Sequence, residues 1–218
     1  TTSHPLDMDL KLIKTHQNNK KLMPYLHLPI QSGSDNVLAG MNRKHTVADY
    51  LKIIEKVKKY KPDIAISSDF IVGFPGETDQ DHIKTLDLIN RVKFASSYSF
   101  KYSPRPGTPS ANLDKQVDEK IKNSRLQELQ SELKKHQLVF NQKFVNSNMS
   151  ILIFDKNKKN QYFGKSPYNQ TVIIDEKLDS NQKFLNKSKE VLGKMIDVTI
   201  TSSFQNSLEG KFSSESLG

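Results

Sequence analysis

Three short apolar runs start near residues 25, 64 and 95, and the stretches between them carry apolar residues at helical spacing. A strand-helix unit every ~30–40 residues is the signature of a parallel sheet or barrel built from right-handed crossovers. Three such units fall short of closing an eight-stranded barrel. The first run, Tyr25-Leu26-His27-Leu28-Pro29-Ile30, reads as a strand whose proline sits near its end. Thr46-Val47-Ala48-Asp49 then opens a helix as a capping box with Asp in the Glu position, followed by Leu51, Ile54 and Val57 and a stop near Lys61-Pro62. The second unit repeats this grammar with a strand over 64–72, the turn Gly73-Phe74-Pro75-Gly76, and a helix opened by Thr78-Asp79-Gln80-Asp81 with Ile83, Leu86 and Ile89 along one face. A third strand over 95–102 runs into the turn-rich Ser103-Pro104-Arg105-Pro106-Gly107-Thr108-Pro109.

From 117 to 145 the pattern is one long polar helix, with Ile121, Leu126, Leu129, Leu133 and Leu138 marking its expected buried stripe. Beyond it the texture changes to short strands, expected at 149–154, 161–165, 171–175, 194–201 and 207–212. Five short strands in ~70 residues suggest a small antiparallel barrel, a shape used both for binding single-stranded RNA and as a plain structural module. The expected division is 1–145 for the βα part with its connector helix, 146–214 for the β-domain, and 215–218 as a tail.

Composition narrows the chemistry. With 0 Cys in 218 residues the chain can form no disulfide framework, no zinc ribbon and no thiolate-held iron-sulfur cluster by itself. The 11 Phe and 7 Tyr argue for a folded protein despite a mean hydropathy of -0.63. Lys and Arg number 33 against 24 Asp and Glu, a formal charge of +9 that favours an anionic partner, nucleic acid above all. Most of the excess lies before residue 145, and no single basic tail carries it. No run approaches the ~18 apolar residues of a membrane span and the first residues have no leader pattern, so the cytoplasm is expected.

In a parallel α/β barrel the loops after the strands form the site, so Gln31-Ser32-Gly33-Ser34, Gly73-Phe74-Pro75-Gly76-Glu77 and the 103–108 stretch should share one mouth. Arg43, just before a helix N-terminus on that side, suits a carboxylate. Asp69 is an acid within a strand, and either meets a ligand hydroxyl or is satisfied by a neighbouring side chain. Glu77 reads as a helix-dipole residue rather than a base. The six His show no ligand spacing, and the lysine-rich pieces at 56–59 and 156–159 read as solvated faces.

Four motifs in order and spacing carry a resemblance: Tyr25-Leu26-His27-Leu28-Pro29-Ile30-Gln31-Ser32-Gly33-Ser34-Asp35; Met41-Asn42-Arg43; Ser68-Asp69-Phe70-Ile71-Val72-Gly73-Phe74-Pro75-Gly76-Glu77-Thr78; and Phe100-Lys101-Tyr102-Ser103-Pro104-Arg105-Pro106-Gly107-Thr108-Pro109. Together they resemble the radical S-adenosylmethionine (SAM) methylthiotransferases. Their wording is similar to the tRNA branch that acts on N6-isopentenyladenosine beside the anticodon, with the threonylcarbamoyladenosine branch as the alternative within the family. The resemblance implies the C-terminal part of a TIM-like radical SAM (βα) barrel followed by a small all-β TRAM (OB-like) barrel. It implies SAM and two [4Fe-4S] clusters as cofactors, tRNA as partner, and a monomer in the complete form.

Carried over by position, the resemblance gives Gln31 and Asp69 the SAM ribose hydroxyls and Arg43 the methionine carboxylate, with Ser32, Gly33 and Gly73 lining the cofactor site. Tyr102, Ser103, Arg105 and Gly107 would line the substrate side. The family's cluster cysteines have no counterpart here, and Thr1-Thr2-Ser3-His4-Pro5 resembles the end of a mid-barrel strand. The chain is therefore expected to be inactive alone, to need a cysteine-bearing N-terminal part, and to leave a sheet edge exposed. The alternatives are a non-catalytic tRNA-binding module and a gene remnant or incomplete gene model.

Overall fold

The structure, a computed structural model, describes residues 4–175 and 191–213. The expected tail at 215–218 and the strand end at residues 1–3 lie outside the described residues. The chain divides into two compact units, residues 1–136 and 137–218.

The first unit runs α1 (Leu10–Asn18), β1 (Tyr25–His27), α2 (Asp35–Gly40), α3 (Val47–Tyr60), β2 (Ala65–Val72), α4 (Asp79–Val92) and β3 (Ser96–Lys101). It ends within α5 (Glu119–Gln142). The division thus falls inside the long helix, and not at the expected residue 145. The three strands form a parallel sheet in the order β1-β2-β3, as the repeated strand-helix grammar requires. Both expected capping boxes form: Thr46 with Asp49 at the start of α3, and Thr78 with Asp81 at the start of α4.

Strand β1 is shorter than its apolar run because Pro29 has no N–H to give the ladder. Ile30 N donates to the Ser68 hydroxyl instead, and pairing resumes at Gln31 opposite Phe70. Leu26, Ile66, Phe70 and Val72 point to the helices and pack with Tyr50, Ile54, Val57, Leu88, Ile89, Phe94, Leu129 and Leu133 in one core. The other face carries His27, Ser67, Asp69 and Ile71, in register with Ser96, Tyr98 and Phe100 of β3. Tyr98 and Phe100 there are 61% and 55% exposed, so that face is open among the described residues.

Two expected stripes differ in detail. Ile83 is exposed on α4, where His82, Thr85, Leu88 and Ile89 turn inward. On α5, Ile121 is exposed and Leu138 only half-buried, while Lys122 and Arg125 fill the turns before Leu129 and Leu133. A count of apolar residues alone passes over these cations, which are buried against partners described below.

The second unit is a closed barrel of β4 (Asn148–Lys156), β5 (Gln161–Lys165), β6 (Thr171–Asp175), β7 (Met195–Ser203) and β8 (Ser207–Phe212), in the order β4-β5-β6-β8-β7. All neighbouring pairs are antiparallel except β6 with β8. Ile151, Ile153, Tyr162, Val172, Ile174, Val198, Ile200, Leu208 and Phe212 alternate inward to form its core. Gly164 and Gly210 occupy inward positions where a Cβ would meet Ile151 Cγ2 at 2.3 Å and Val198 Cγ1 at 2.4 Å, so the strands close only because a side chain is absent.

Candidate functional site

The site forms where β1, β2 and β3 end. Gln31 extends the ladder beyond β1: its N–H donates to Asp69 O at 2.9 Å and its carbonyl accepts from Ile71 N at 2.9 Å. It does so with φ of 80°, a left-handed backbone that costs a non-glycine residue about 1 kcal/mol or more and persists only where the surroundings enforce it. The residues after it are tied to α4. Gly33 N donates to Thr85 Oγ1 at 2.9 Å, Ser32 Oγ lies 3.4 Å from the same hydroxyl, and Ser34 Oγ donates to Asp81 Oδ1 at 2.6 Å. A Cβ on Gly33 would sit 2.5 Å from Lys84 O, so that glycine is required by the close approach of the two backbones. Asp81 thereby joins its own helix cap to the first loop. Burial opposes its ionisation, but hydrogen bonds from Ser34 and Thr78 outweigh it and hold the carboxyl below the usual range.

Asp69 meets a neighbouring side chain and also stays partly open. Its Oδ2 lies 3.4 Å from His27 Nε2, the other ring nitrogen of His27 lies 3.0 Å from Ser67 Oγ, and the Asp69 side chain is 28% exposed. Arg43 follows α2 on the loop into α3 and is half-buried, with no ion-pair partner among the described residues. Two residues on, His45 is buried with both ring nitrogens unpartnered among the described residues and its ring edge-on to His4 at 5.5 Å. Burial, helped by His4 and Arg43, holds its pKa below the ordinary histidine value.

The second loop is fixed by a buried ion pair. Gly73 N and Phe74 N donate to Glu77 Oε2 at 2.5 and 3.2 Å. Arg125 Nη1 reaches Glu77 Oε1 at 3.3 Å and the Glu77 carbonyl at 3.2 Å, while its Nη2 donates to Asp79 Oδ1 at 2.7 Å. Glu77 is therefore the staple of this loop and not the helix-dipole residue expected for it; Thr78 is the cap. Burial pushes the Glu77 carboxyl up, against the opposing pull of Arg125 and the two amides. Gly73 has two reasons to be glycine: a φ of 73°, and the Lys122 stem, whose Cγ would lie 2.3 Å from an added Cβ.

Tyr102 continues β3 by donating its N–H to Val72 O at 2.8 Å, and its ring lies edge-on to Phe74 at 5.2 Å. Its hydroxyl is buried without a hydrogen-bond partner among the described residues, and Lys122 Nζ stands 5.7 Å from the ring centre. Ser103, Arg105 and Gly107 are exposed on the following turn, which Thr108 closes by donating to Arg105 O at 2.7 Å.

The fold thus gathers Gln31, Asp69, Gly73 and Tyr102 at adjacent strand ends. It gives the Ser32 hydroxyl and Gly33 anchoring contacts with α4. His27, Lys122 and Arg125 were not singled out by sequence reasoning. For the last two a signal existed: stepping back from Leu133 and Leu129 by helical spacing lands on Arg125 and Lys122. The partnership of His27 with Asp69 depends on cross-strand register, which one sequence does not give.

Residues 1–89 match the model of the radical SAM superfamily. A tRNA-2-methylthio-N(6)-dimethylallyladenosine synthase of Rickettsia rickettsii (strain Sheila Smith) is 53% identical over 213 residues, 97% of this chain and 45% of that protein. The corresponding synthase of Rickettsia prowazekii (strain Madrid E) is 52% identical over 212 residues, again covering 45% of its length. The chain therefore spans less than half the length of these curated relatives. Among solved structures, coproporphyrinogen III oxidase from Escherichia coli, described as a radical SAM enzyme, aligns with a TM-score of 0.52 at 13% identity, covering 89% of this chain and 50% of that one. The superfamily match lies inside the first unit, while the similarity to part of the Rickettsia synthases extends along 97% of the chain and so runs on through the second unit.

Proposed function

We propose that this chain is the SAM-holding and tRNA-binding part of a radical SAM methylthiotransferase acting on C2 of N6-isopentenyladenosine beside the anticodon. The observation that carries the reading is the main-chain bridge from Gln31 to Asp69, which sets both side-chain positions at the mouth of one sheet at the expense of a left-handed Gln31. SAM fits the residues present. The partly open Asp69 carboxylate can accept from a ribose diol, Gln31 can share that hydrogen bonding, and the Arg43 guanidinium, without an ion-pair partner among the described residues, suits a carboxylate. Gly73 lies where β2 ends, with Glu77 and Arg125 holding its loop in place.

Bound there, SAM would supply hydrogen-abstracting radical chemistry once a cluster held by other polypeptide gives it an electron. The chain's own residues contribute orientation. Asp69, braced by His27 and Ser67, would fix the ribose, and Tyr102 with Phe74 would form an aromatic wall where β3 ends. The exposed Arg105 on the 103–108 turn would be free to meet an RNA phosphate. The two [4Fe-4S] clusters do not fit this chain, which holds no thiolate, so their cysteines must come from other polypeptide. Among the described residues no helix is long and apolar enough to cross a membrane.

The test joins this chain to the cysteine-bearing N-terminal part of the Rickettsia rickettsii synthase in cells lacking their own enzyme, with nucleosides of bulk tRNA read by mass spectrometry. Appearance of the 2-methylthio derivative of N6-isopentenyladenosine is expected. A folded, cluster-loaded fusion that leaves this nucleoside unmodified refutes the reading, and methylthiolation of threonylcarbamoyladenosine instead would move the chain to the other branch.

A further inference from the structure

His27 on β1 stands opposite Ser67 on β2 in the parallel register, and Asp69, two residues on, stands opposite Tyr98 on β3. Residues two apart on a strand share a face, so Ser67 and Asp69 lie on the same side of the sheet. The imidazole of His27 bridges them. Its Nδ1 lies 3.0 Å from Ser67 Oγ and its Nε2 lies 3.4 Å from Asp69 Oδ2, with the ring edge-on to Tyr98 at 6.4 Å. One histidine therefore spans from a buried hydroxyl to the carboxylate at the mouth.

The protons of this chain of contacts follow by elimination. An ionised carboxylate only accepts, and a neutral imidazole has one donor and one acceptor. The nitrogen facing Asp69 must then carry the proton, and Nδ1 must accept from the Ser67 hydroxyl. Ser67 is fully buried, so turning the ring away would leave that hydroxyl unpaired in the core. The 3.4 Å contact is long for a hydrogen bond, as such contacts often are before a ligand arrives and tightens them. His27 takes one lone pair of Oδ2. Asp69 Oδ1 has no hydrogen-bond partner among the described residues, so the carboxylate keeps its capacity for a pair of ligand hydroxyls.

We propose that His27 is a positioning residue for SAM: its Nε2–H holds Asp69 in the orientation that meets the ribose, and Ser67 fixes the tautomer that makes this possible. This rests on the reading of Asp69 as the ribose-binding carboxylate and adds the group that presets it. Without the brace, the Asp69 side chain would lose rotamer freedom only when SAM arrives, and that cost would appear as weaker binding. His27 touches no part of the ligand, so its effect passes through Asp69.

Two measurements test this. In the 218-residue chain carrying nitrogen-15 histidine, long-range proton–nitrogen NMR spectra at about pH 8, where an ordinary histidine is neutral, should show His27 protonated at Nε2. Its signals are identified by their loss in His27→Gln, and a His27 ring protonated at Nδ1 instead overturns the proposal. In the fusion with the cysteine-bearing part, its clusters reconstituted without oxygen, His27→Phe should weaken SAM about three- to tenfold. His27→Gln, whose amide can still donate to Asp69, should recover most of that affinity. In an Asp69→Ala chain, His27→Phe should change SAM affinity by less than about twofold, because the group it acts through is gone. Melting temperatures and the cluster absorption spectrum, followed alongside, separate lost binding from lost fold. SAM affinity that His27→Phe leaves intact while Asp69→Ala weakens it overturns the proposal and keeps the SAM reading. An equal loss from His27→Phe with and without Asp69 overturns it too, since the histidine would then act by another route. If Asp69→Ala leaves SAM affinity unaltered, the ribose assignment falls and the proposal with it.

Discussion

Replacing Arg125 with Met keeps an unbranched stem on α5 and removes the guanidinium that faces Glu77. The Glu77 side chain is only 4% exposed, so without Arg125 a carboxylate would remain in a water-poor site with two amide donors and no counter-charge. Breaking a buried pair by deleting one partner costs about 3–5 kcal/mol. The second contact adds little, since the Asp79 side chain is 92% exposed and its pair with Arg125 is screened by water. At about 2–4 °C per kcal/mol for a domain of this size, the melting transition of the first unit should fall by roughly 10 °C.

The loss must also depend on pH in one direction. Burial raises the Glu77 carboxyl in the folded state, so the group favours folding at low pH and loses that contribution as pH rises through the raised value. Without Arg125 the rise is larger, so Arg125→Met should be most destabilising in mildly alkaline buffer and least so in acid, with the unaltered chain as reference at each pH. Glu77→Gln combined with Arg125→Met should recover most of the loss, because an amide oxygen still accepts from Gly73 N. Thermal melts followed by circular dichroism provide the assay. A loss under about 1 kcal/mol for Arg125→Met, or one that is the same across pH, refutes the claim that this pair holds the loop.

Other residues give further expectations. Gly33→Ala should destabilise by more than about 2 kcal/mol in urea titrations, because its Cβ would lie 2.5 Å from the Lys84 carbonyl, backbone that cannot yield as a flexible side chain can. Gly73→Ala should also destabilise, and Lys122→Ala in the same chain should relieve only the part due to crowding, the φ of 73° remaining. Tyr50→Phe should cost about 1 kcal/mol, since the Tyr50 hydroxyl donates to Leu28 O at 3.0 Å in the core and Phe leaves that carbonyl unpaired. His16, His45, His82 and His136 are all held below the ordinary histidine value, chiefly by burial, so their contribution to stability is present at neutral pH and lost as pH falls below about 6.5, which melts across that range would register.

Much of the fold was legible in the sequence because its signals are local. Thr46 with Asp49 and Thr78 with Asp81 announced their helices, and both boxes form as drawn. Alternating apolar residues announced the barrel strands to within a residue or two. What the sequence hid lies between elements. Glu77 looks like a charge before a helix until Arg125 arrives from α5, and the ties of Ser32 and Gly33 to α4 come from packing that the local sequence does not announce. A bulge at Phe154 of β4 was equally hidden, since its neighbours alternate normally and only the register with Phe163 exposes the extra residue.

The assignment of Gln31, Arg43 and Asp69 as the SAM-holding group is best tested by equilibrium binding of SAM to the fusion with the cysteine-bearing part, its clusters reconstituted without oxygen. The account predicts that Gln31→Ala, Arg43→Met and Asp69→Asn each weaken SAM by tenfold or more while the cluster absorption spectrum and melting temperature stay as they were. Unaltered SAM affinity in Asp69→Asn and Arg43→Met would place the cofactor elsewhere and contradict the account.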